Sequence, residues 1–391
     1  MPNRRPLQAV VGLAPEDLAG LLDAALAGDG PALLPVPADL PAPRRRALLE
    51  AVRPASVRTP EGVARLADGV PVADGTALVV ATSGSTGRPK GVELDAAALL
   101  ASARASVARI GARPGEPWLC VLPTAHVSGL QVLLRARLLD APVLHRPFDV
   151  AEVAAAAQRR PHVSLVPTQL RRLLAAGVDL SLFRTVLLGG AAADPALLAA
   201  ARRAGARVTT TYGMSETCGG CVYDGLPLDG VAVDLDGEGR VLLSGPVLFR
   251  GYRLRPDLTA QHLVERGGRP WFRTSDLGVL EEGRLRVRGR ADDVINTGGH
   301  KVVAAEVADL LTRMDAVAEA AVVGRPDPEW GQRVTAVVVP ADPAAPPTLE
   351  QVRDWVSAHL PRYAAPRELD VRAELPLLAS GKPDLRRLGR G

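Results

Sequence analysis

The chain predicts a large N-terminal domain of layered α/β structure with a β-rich subdomain, followed by a small, mobile α+β domain. Three observations carry this. Between Thr76 and Thr211 apolar, partly β-branched runs alternate with stretches of helical length, the pattern of strands and helices on a largely parallel sheet. From Val231 to Arg288 the texture changes to short strands broken by Gly and Asp turns, as at Asp234–Arg240 and Glu281–Gly283. Finally, 391 residues exceed what one hydrophobic core usually organises. The last hundred again mix helix and strand patterns, enough for a domain of their own. We place the boundary at Arg290, giving 1–289 and 290–391.

In chain order, residues 1–75 are rich in Pro, Ala and Leu, with helices expected over Ala14–Ala27 and Pro43–Ala51 and no visible chemistry. Ala77–Ala81 reads as a buried strand and Ala96–Arg109 as a helix. Alternation then predicts strands at Trp118–Leu122, Pro142–His145, His162–Val166, Thr185–Leu188 and Arg207–Thr211. Helices fall between them at Gly129–Leu139, Val150–Arg159, Thr168–Ala175 and Pro195–Arg203. In the C-terminal part, Val303–Arg313 and Leu349–His359 read as helices and Ala316–Val323 and Val334–Val339 as strands. Pro340–Pro347 is a linker.

Composition narrows the class. Apolar residues make up 47% and aromatics 3%, so the core must be Leu, Val and Ala. No run of 18 apolar residues occurs and the N-terminus has no signal-peptide core, so we expect a cytoplasmic protein without stable membrane insertion. Three cysteines, Cys120, Cys218 and Cys221, cannot build a secreted disulfide framework. The net charge of +4 is spread along the chain with no basic stripe interleaved with aromatics, which argues against nucleic acid and leaves anionic small molecules. Nearly all basic residues are Arg; Lys remains only at Lys90, Lys301 and Lys382. Where Lys survives such a bias, a compact ammonium is what the position asks for.

The stretch Thr82-Ser83-Gly84-Ser85-Thr86-Gly87-Arg88-Pro89-Lys90-Gly91 reads as a loop between the strand before it and the helix after it. Its glycines let backbone approach a phosphate, its hydroxyls and N–H groups donate, and Lys90 adds charge. It is not a P-loop, which requires Gly-Lys-Ser/Thr at its end; here Lys90 stands between Pro89 and Gly91. Further on, Thr211-Tyr212-Gly213-Met214-Ser215-Glu216-Thr217 sits where a parallel strand ends, the place where open α/β sheets bind ligands. Glu216 suits Mg²⁺, which takes one or two carboxylates together with phosphate oxygens, and Tyr212 suits a planar base. The same residues also suit an ordinary capped strand end. Asp276, in Phe272–Gly278, can accept from two hydroxyls of a sugar, or simply form a turn. Arg290 and Asp292 lie at the domain boundary, where a hinge would absorb backbone rotation. Lys382, beside Gly381 in a terminal loop, is either a solvated charge or an electrostatic stabiliser of a reacting phosphate.

Taken together and in order, these stretches resemble the acyl-activating adenylate-forming superfamily, which includes acyl-CoA synthetases, luciferases and peptide-synthetase adenylation domains. The likeness covers residues 76–391. It implies a phosphate loop over Thr82 to Lys90 (Thr82, Ser83, Gly84, Ser85, Thr86, Gly87 and Lys90) and an adenine and acyl pocket lined by Gly189, Gly190 and Ala191. Thr211, Tyr212, Gly213 and Ser215 would complete the nucleotide site. Glu216 would bind Mg²⁺, Asp276 and Arg290 would hold the ribose, and Asp292 would be the hinge. Lys382 would serve the adenylation step, and Gly298, Gly299, His300 and Lys301 would face the thiol of CoA. Only 81 residues precede Thr82. Members commonly have more there, and the brevity resembles the compact o-succinylbenzoate–CoA ligases of menaquinone biosynthesis.

That resemblance sets an expectation for the acid. Leu122–Gln131 looks like the segment whose histidine, here His126, gates the acyl pocket. On the helix that follows, Ser128, Gln131, Val132 and Arg135 share a face. A buried Arg there wants a carboxylate partner, and o-succinylbenzoate carries a second one; otherwise Arg135 snorkels to solvent. His126, Ser128 and Arg135 are thus the expected acid pocket. Ser215–Gly225 looks like the same ligases. Its Cys218-x-x-Cys221 pair lacks the second pair that structural zinc asks for and reads as small residues lining a pocket. The expectation is an AMP-forming acid–thiol ligase using ATP, Mg²⁺, CoA and a small carboxylic acid, with room for a homodimer. Its rivals are another acyl- or aryl-CoA ligase, an adenylation enzyme loading a carrier protein, and a nucleotide-binding scaffold without catalysis.

Overall fold

The computed structural model describes residues 4–83, 89–192, 194–377 and 383–389. Its contacts group the chain into two units, Met1–Val233 with Leu242–Arg273, and Asp234–Val241 with Thr274–Gly391.

The first unit opens with strands the sequence reading did not find. β1 (Leu7–Val11), α1 (Pro15–Ala27), β2 (Ala32–Val36), α2 (Ala42–Val52), β3 (Ser56–Thr59) and β4 (Gly62–Arg65) precede β5 (Thr76–Ser83). β1 and β2 are buried along their whole length and run parallel. β2 is a short continuous apolar run and β1 is one interrupted only by the buried Gln8, and periodicity alone cannot tell such runs from helix. Both helices were foreseen within two residues.

β5 does not lead through a loop into a helix. It pairs antiparallel with β6 (Pro89–Asp95), Thr82 opposite Lys90, so the expected strand-to-helix loop is corrected to a hairpin connection, and Lys90 stands on the returning strand. Val92 and Leu94, fully buried on alternate positions of β6, carry the period-2 signal that a seven-residue strand pressed against a helix start obscured. Helix α3 (Ala96–Ile110) follows. The completed sheet runs Gly251–Tyr252, β6, β5, β2, β1, β3, β4.

The second sheet follows the expected alternation. Its elements are β7 (Trp118–Cys120), α4 (Val127–Leu138), β8 (Val143–His145), α5 (Val150–Ala157), β9 (His162–Leu165), α6 (Pro167–Ala175), β10 (Thr185–Leu188), α7 (Pro195–Arg203), β11 (Val208–Met214) and β12 (Gly219–Tyr223). The order is β8-β7-β9-β10-β11-β12, parallel through β11 and antiparallel at β12. Leu119, Val163, Val186, Leu170, Leu173 and Phe183 lie in one core on its α5–α7 face.

The register slips between Tyr212 and Gly213. A Cβ on Gly213 would stand 2.0 Å from Gly219 O and 2.7 Å from Gly220 Cα, backbone atoms that cannot swing aside. We expect Gly213→Ala to cost on the order of 2–4 kcal/mol, read as a fall in the urea midpoint of unfolding. An unchanged midpoint would show that the strand pair can open to admit a methyl group.

In the second unit, the later part of β13 (Arg269–Glu281) forms a hairpin with β14 (Arg284–Arg290), Asp276 opposite Arg290. Then come β15 (Val294–Thr297), β16 (His300–Val303), α8 (Ala304–Leu311), β17 (Val317–Asp327), β18 (Gly331–Pro340), α9 (Leu349–His359) and β19 (Glu368–Val371). The sheet order is β16-β15-β18-β17, with β19 parallel to β18. α8 and α9 bury Val307, Leu311, Val352 and Val356 against Val334, Ala336 and Val338, the α+β layer expected. Residue 290 is thus the end of the β13–β14 hairpin.

Candidate active site

The carboxyl ends of β9, β10 and β11 come together as Val166, Gly189–Gly190 and Thr211–Gly213. Gly189 is required there: a Cβ would stand 2.3 Å from Thr211 Oγ1. Gly190 adopts φ +83°, which favours glycine. Beyond Met214 the chain turns through a single 3₁₀ turn, Ser215–Thr217. Thr217 Oγ1 accepts from Met214 N at 3.0 Å and donates to Gly219 O at 2.7 Å, pinning both ends of the turn.

This geometry carries Glu216 inward, to 7% exposure. Tyr252 OH donates to its Oε1 at 2.8 Å. Lys90 Nζ lies 3.6 Å from the same oxygen and 4.2 Å over the Tyr252 ring. Phe249 N donates to the Glu216 carbonyl at 2.9 Å, and the Phe249 ring meets Tyr252 edge-on. The structure therefore joins Lys90 and Glu216, predicted far apart in sequence, and adds Tyr252, which the sequence reading missed. The signal for it was slight: a Gly-Tyr pair in a chain with four tyrosines. Thr82 Oγ1, across from Lys90, is buried without a partner among the described residues, a hydroxyl ready for a ligand oxygen. Gly84, Ser85, Thr86 and Gly87 lie outside the described residues, as does Lys382. Ala191 and Ser215 are on the described backbone, the one following Gly190 and the other preceding Glu216.

Glu216 fits Mg²⁺. Tyr252 and Lys90 both approach Oε1, which leaves Oε2 for a cation. Among the described residues no group of three or more His, Cys, Asp or Glu could hold a metal alone, so the remaining ligands would be phosphate oxygens and water, as Mg²⁺ prefers.

In the second unit Arg290 Nη1 lies 3.5 Å from Asp276 Oδ1, its partner across the hairpin, and Nη2 donates to Asp292 at 3.0 Å. One guanidinium thus links the two predicted ribose-side residues to the predicted hinge residue. Burial raises the neighbouring Asp293 carboxyl. Gly298 takes φ +54° and its N donates to Trp330 O at 3.0 Å; a Cβ would strike the Trp330 ring at 2.6 Å. Gly299 has φ +80° and open space. His300 stacks on Tyr363 with centroids 4.3 Å apart, and Lys301 is exposed on β16.

His126 is the N-cap residue of α4 and keeps an exposed face, while the protein packed around its ring lowers its imidazole below the usual histidine value. Ser128 lies two residues further on, in the first turn of the helix. Gly129 packs onto the Pro123 and Leu122 carbonyls, where a Cβ would sit 2.4 Å from Pro123 O. Gln131 donates to Cys218 O at 2.7 Å, tying α4 to the turn that holds Glu216. Arg135 stands apart. Nine residues along the helix, its Cα is about 13 Å from that of His126. It is 5% exposed, donates to Ser164 Oγ at 3.3 Å and lies 5.5 Å over the Trp118 ring. It is too buried to snorkel to solvent, and among the described residues no carboxylate pairs with it. Cys218 and Cys221 are fully buried; burial raises both thiols, Cys221 to about 12, so both stay protonated and unreactive.

His162, 2% exposed, stacks on Trp118 with centroids 4.7 Å apart and contacts Glu116 Oε2 through Nε2 at 3.0 Å. Burial lowers its imidazole despite Glu116, which acts the other way. A folded-state value below the unfolded value of about 6.5 means the unfolded chain binds the extra proton first. Stability is then complete above that pH and falls as pH drops through it toward the folded value. We expect urea midpoints to decline between pH 7 and 5, with a shallower decline in His162→Gln. An identical slope in both proteins would remove His162 as the cause.

Known proteins resemble the whole arrangement. The AMP-binding enzyme family matches residues 31–253, and the AMP-binding enzyme C-terminal domain matches 306–382. A protein of Mycobacterium tuberculosis named "Probable 2-succinylbenzoate–CoA ligase" is 42% identical, over 97% of this chain and 96% of its own length. The 2-succinylbenzoate–CoA ligase of Bacillus cereus is 35% identical over 78% of this chain and 68% of its own. Among solved structures, the o-succinylbenzoate CoA synthetase of Bacillus subtilis with its acyl-adenylate intermediate superposes with a TM-score of 0.84 at 26% identity, covering 98% of this chain and 88% of that one. The same synthetase has been solved with ATP and a magnesium ion.

Proposed function

This chain belongs to the AMP-binding enzyme family, and from that premise we infer that it is a 2-succinylbenzoate–CoA ligase: an AMP-forming acid–thiol ligase that takes ATP and CoA with a small carboxylic acid. The chemistry rests on one observation, the buried Glu216 carboxylate held by Tyr252 and Lys90 at the carboxyl ends of the parallel strands. The choice of acid rests on the relative that matches along nearly its full length.

The substrate carboxylate attacks the α-phosphorus of ATP, forming an acyl–phosphate anhydride as the bond to pyrophosphate breaks. The CoA thiol, losing its proton, then adds to the acyl carbon, and AMP leaves. Glu216 would hold Mg²⁺, which would supply charge neutralisation for the phosphates. For its part, the chain orients and binds. We assign phosphate contacts to Thr82 through Lys90, with the Thr82 hydroxyl and Lys90 ammonium at the two edges of the loop. Gly189, Gly190, Ala191 and Thr211–Ser215 would line the nucleotide. Asp276 and Arg290 would take the ribose hydroxyls, and Gly298–Lys301 the CoA side. Lys382 is assigned the adenylation step and Asp292 the hinge, with 1–289 and 290–391 as the functional division.

For the acid pocket we propose His126, whose imidazole is lowered by the protein packed around it, and Ser128. Arg135, the third residue expected there, donates to Ser164 on β9 and stands about 13 Å along the helix from His126. The measurement is pyrophosphate release with MgATP and o-succinylbenzoate, with and without CoA, beside fatty and aryl acids. Selective turnover of o-succinylbenzoate supports the reading. Turnover of another acid alone would keep the reaction and discard the substrate, and dependence on an added carrier protein in place of CoA would make the enzyme a loading module.

A further inference from the structure

A cleft of about 430 Å³ opens at the end of the second sheet opposite the proposed catalytic end. Its floor is formed where β9, β10 and β11 begin, at His162, Thr185 and Arg207–Thr209. Strands of four residues span about 13 Å, so this is a separate place. Arg109, Arg113, Arg184 and Arg207 line it, against one carboxylate, Glu116. Glu116 is engaged by Arg184 at 2.9 Å and by His162. Arg109 is held by Pro227 O at 2.6 Å, with the exposed Asp229 at 3.7 Å. Among the described residues neither Arg113 nor Arg207 forms an ion pair. Behind the wall lies Arg135, 5% exposed, unpaired with any carboxylate among the described residues, and near enough to His162 to act on its charge. Arginines gathered in one concavity, with the buried Arg135 guanidinium behind them, focus a positive potential into it.

We propose that this cleft is a second anion site, which takes the phosphate group of a small phosphorylated metabolite. Guanidinium forks match phosphate oxygens in pairs. Two uncompensated arginines suit a dianion, and Thr185 and Thr209 stand on the same wall. The volume exceeds a bare phosphate and falls in the range of small-molecule sites, leaving room for the carbon body of a sugar phosphate. The proposal does not depend on the ligase reading, since no residue of the reaction lies here.

His162 reports on the site from within. Its imidazole resonances, identified by their loss in His162→Gln, are followed by NMR in the full chain while ribose 5-phosphate or inorganic phosphate replaces chloride at constant ionic strength. The expected result is a saturable shift with a raised imidazole titration midpoint, stronger for ribose 5-phosphate. Arg113 and Arg207 are exposed, so the Arg113→Ala/Arg207→Ala double variant should keep its fold and its pyrophosphate release without added phosphate, and bind at least tenfold more weakly. A response no different from chloride, or equal saturation in the double variant, would overturn the proposal.

Discussion

Glu216→Gln is expected to slow pyrophosphate release by about 10²–10³-fold, the usual cost of removing one preorganised charge from a reacting centre. The substitution is isosteric, and its amide oxygen can still accept from Tyr252, so the fold should survive. What disappears is the negative charge facing Lys90 and any cation at Oε2. The loss should appear in kcat and be accompanied by a higher Mg²⁺ requirement, measured by titrating Mg²⁺ at saturating ATP. Tyr252→Phe makes the graded comparison. It keeps the ring under Lys90 and removes one hydrogen bond to a buried charged group, worth about 1.5–3 kcal/mol, so a loss of about 10- to 100-fold is expected. If Glu216→Gln turned over like the parent, the carboxylate would be structural and the Mg²⁺ assignment wrong.

Lys382→Ala should divide the reaction in two. Attack on the α-phosphate builds negative charge that an ammonium offsets, so adenylation should fall by about 10²–10³-fold. Thioester formation has no such demand. Supplied with preformed acyl-adenylate and CoA, the variant should make acyl-CoA at nearly the parental rate. The two half-reactions are read separately, by pyrophosphate release and by disappearance of free thiol. Equal loss in both would end the division of labour assigned to this residue.

The residues differ in how visible they were in the sequence. Lys90 and Glu216 stood in ordered strings whose chemistry was explicit, and the alternation from Thr76 to Thr211 gave the second sheet nearly element by element. Tyr252 was invisible because its importance is a contact across 36 residues to Glu216 and a ring beneath Lys90, neither marked by local spacing. β1 and β2 were missed because strands buried on both faces lose the alternation that announces a strand. For Arg135 the helical face is legible in the sequence, and its depth along the axis and its Ser164 contact are not. A shared face says which way a side chain points, and nine residues of rise decide what it meets.

Arg253 ties early and late parts of the first unit together. Only 4% exposed, its guanidinium donates to Val52 O at 3.0 Å, to Pro71 O and Glu93 Oε1 at 3.1 Å, and to Val70 O. Those acceptors precede it by 160 to 201 residues. On a ribosome adding about 5–20 residues per second, the carbonyls at the end of α2 and at Val70–Pro71, and Glu93 on β6, therefore wait roughly 8–40 s for the side chain that satisfies them. Throughout that interval the nascent chain holds an unfinished edge at β6, the strand that Gly251–Tyr252 later covers. A chaperone acting on this protein during synthesis would find its target there, and truncated chains ending before Tyr252 should be the ones that aggregate.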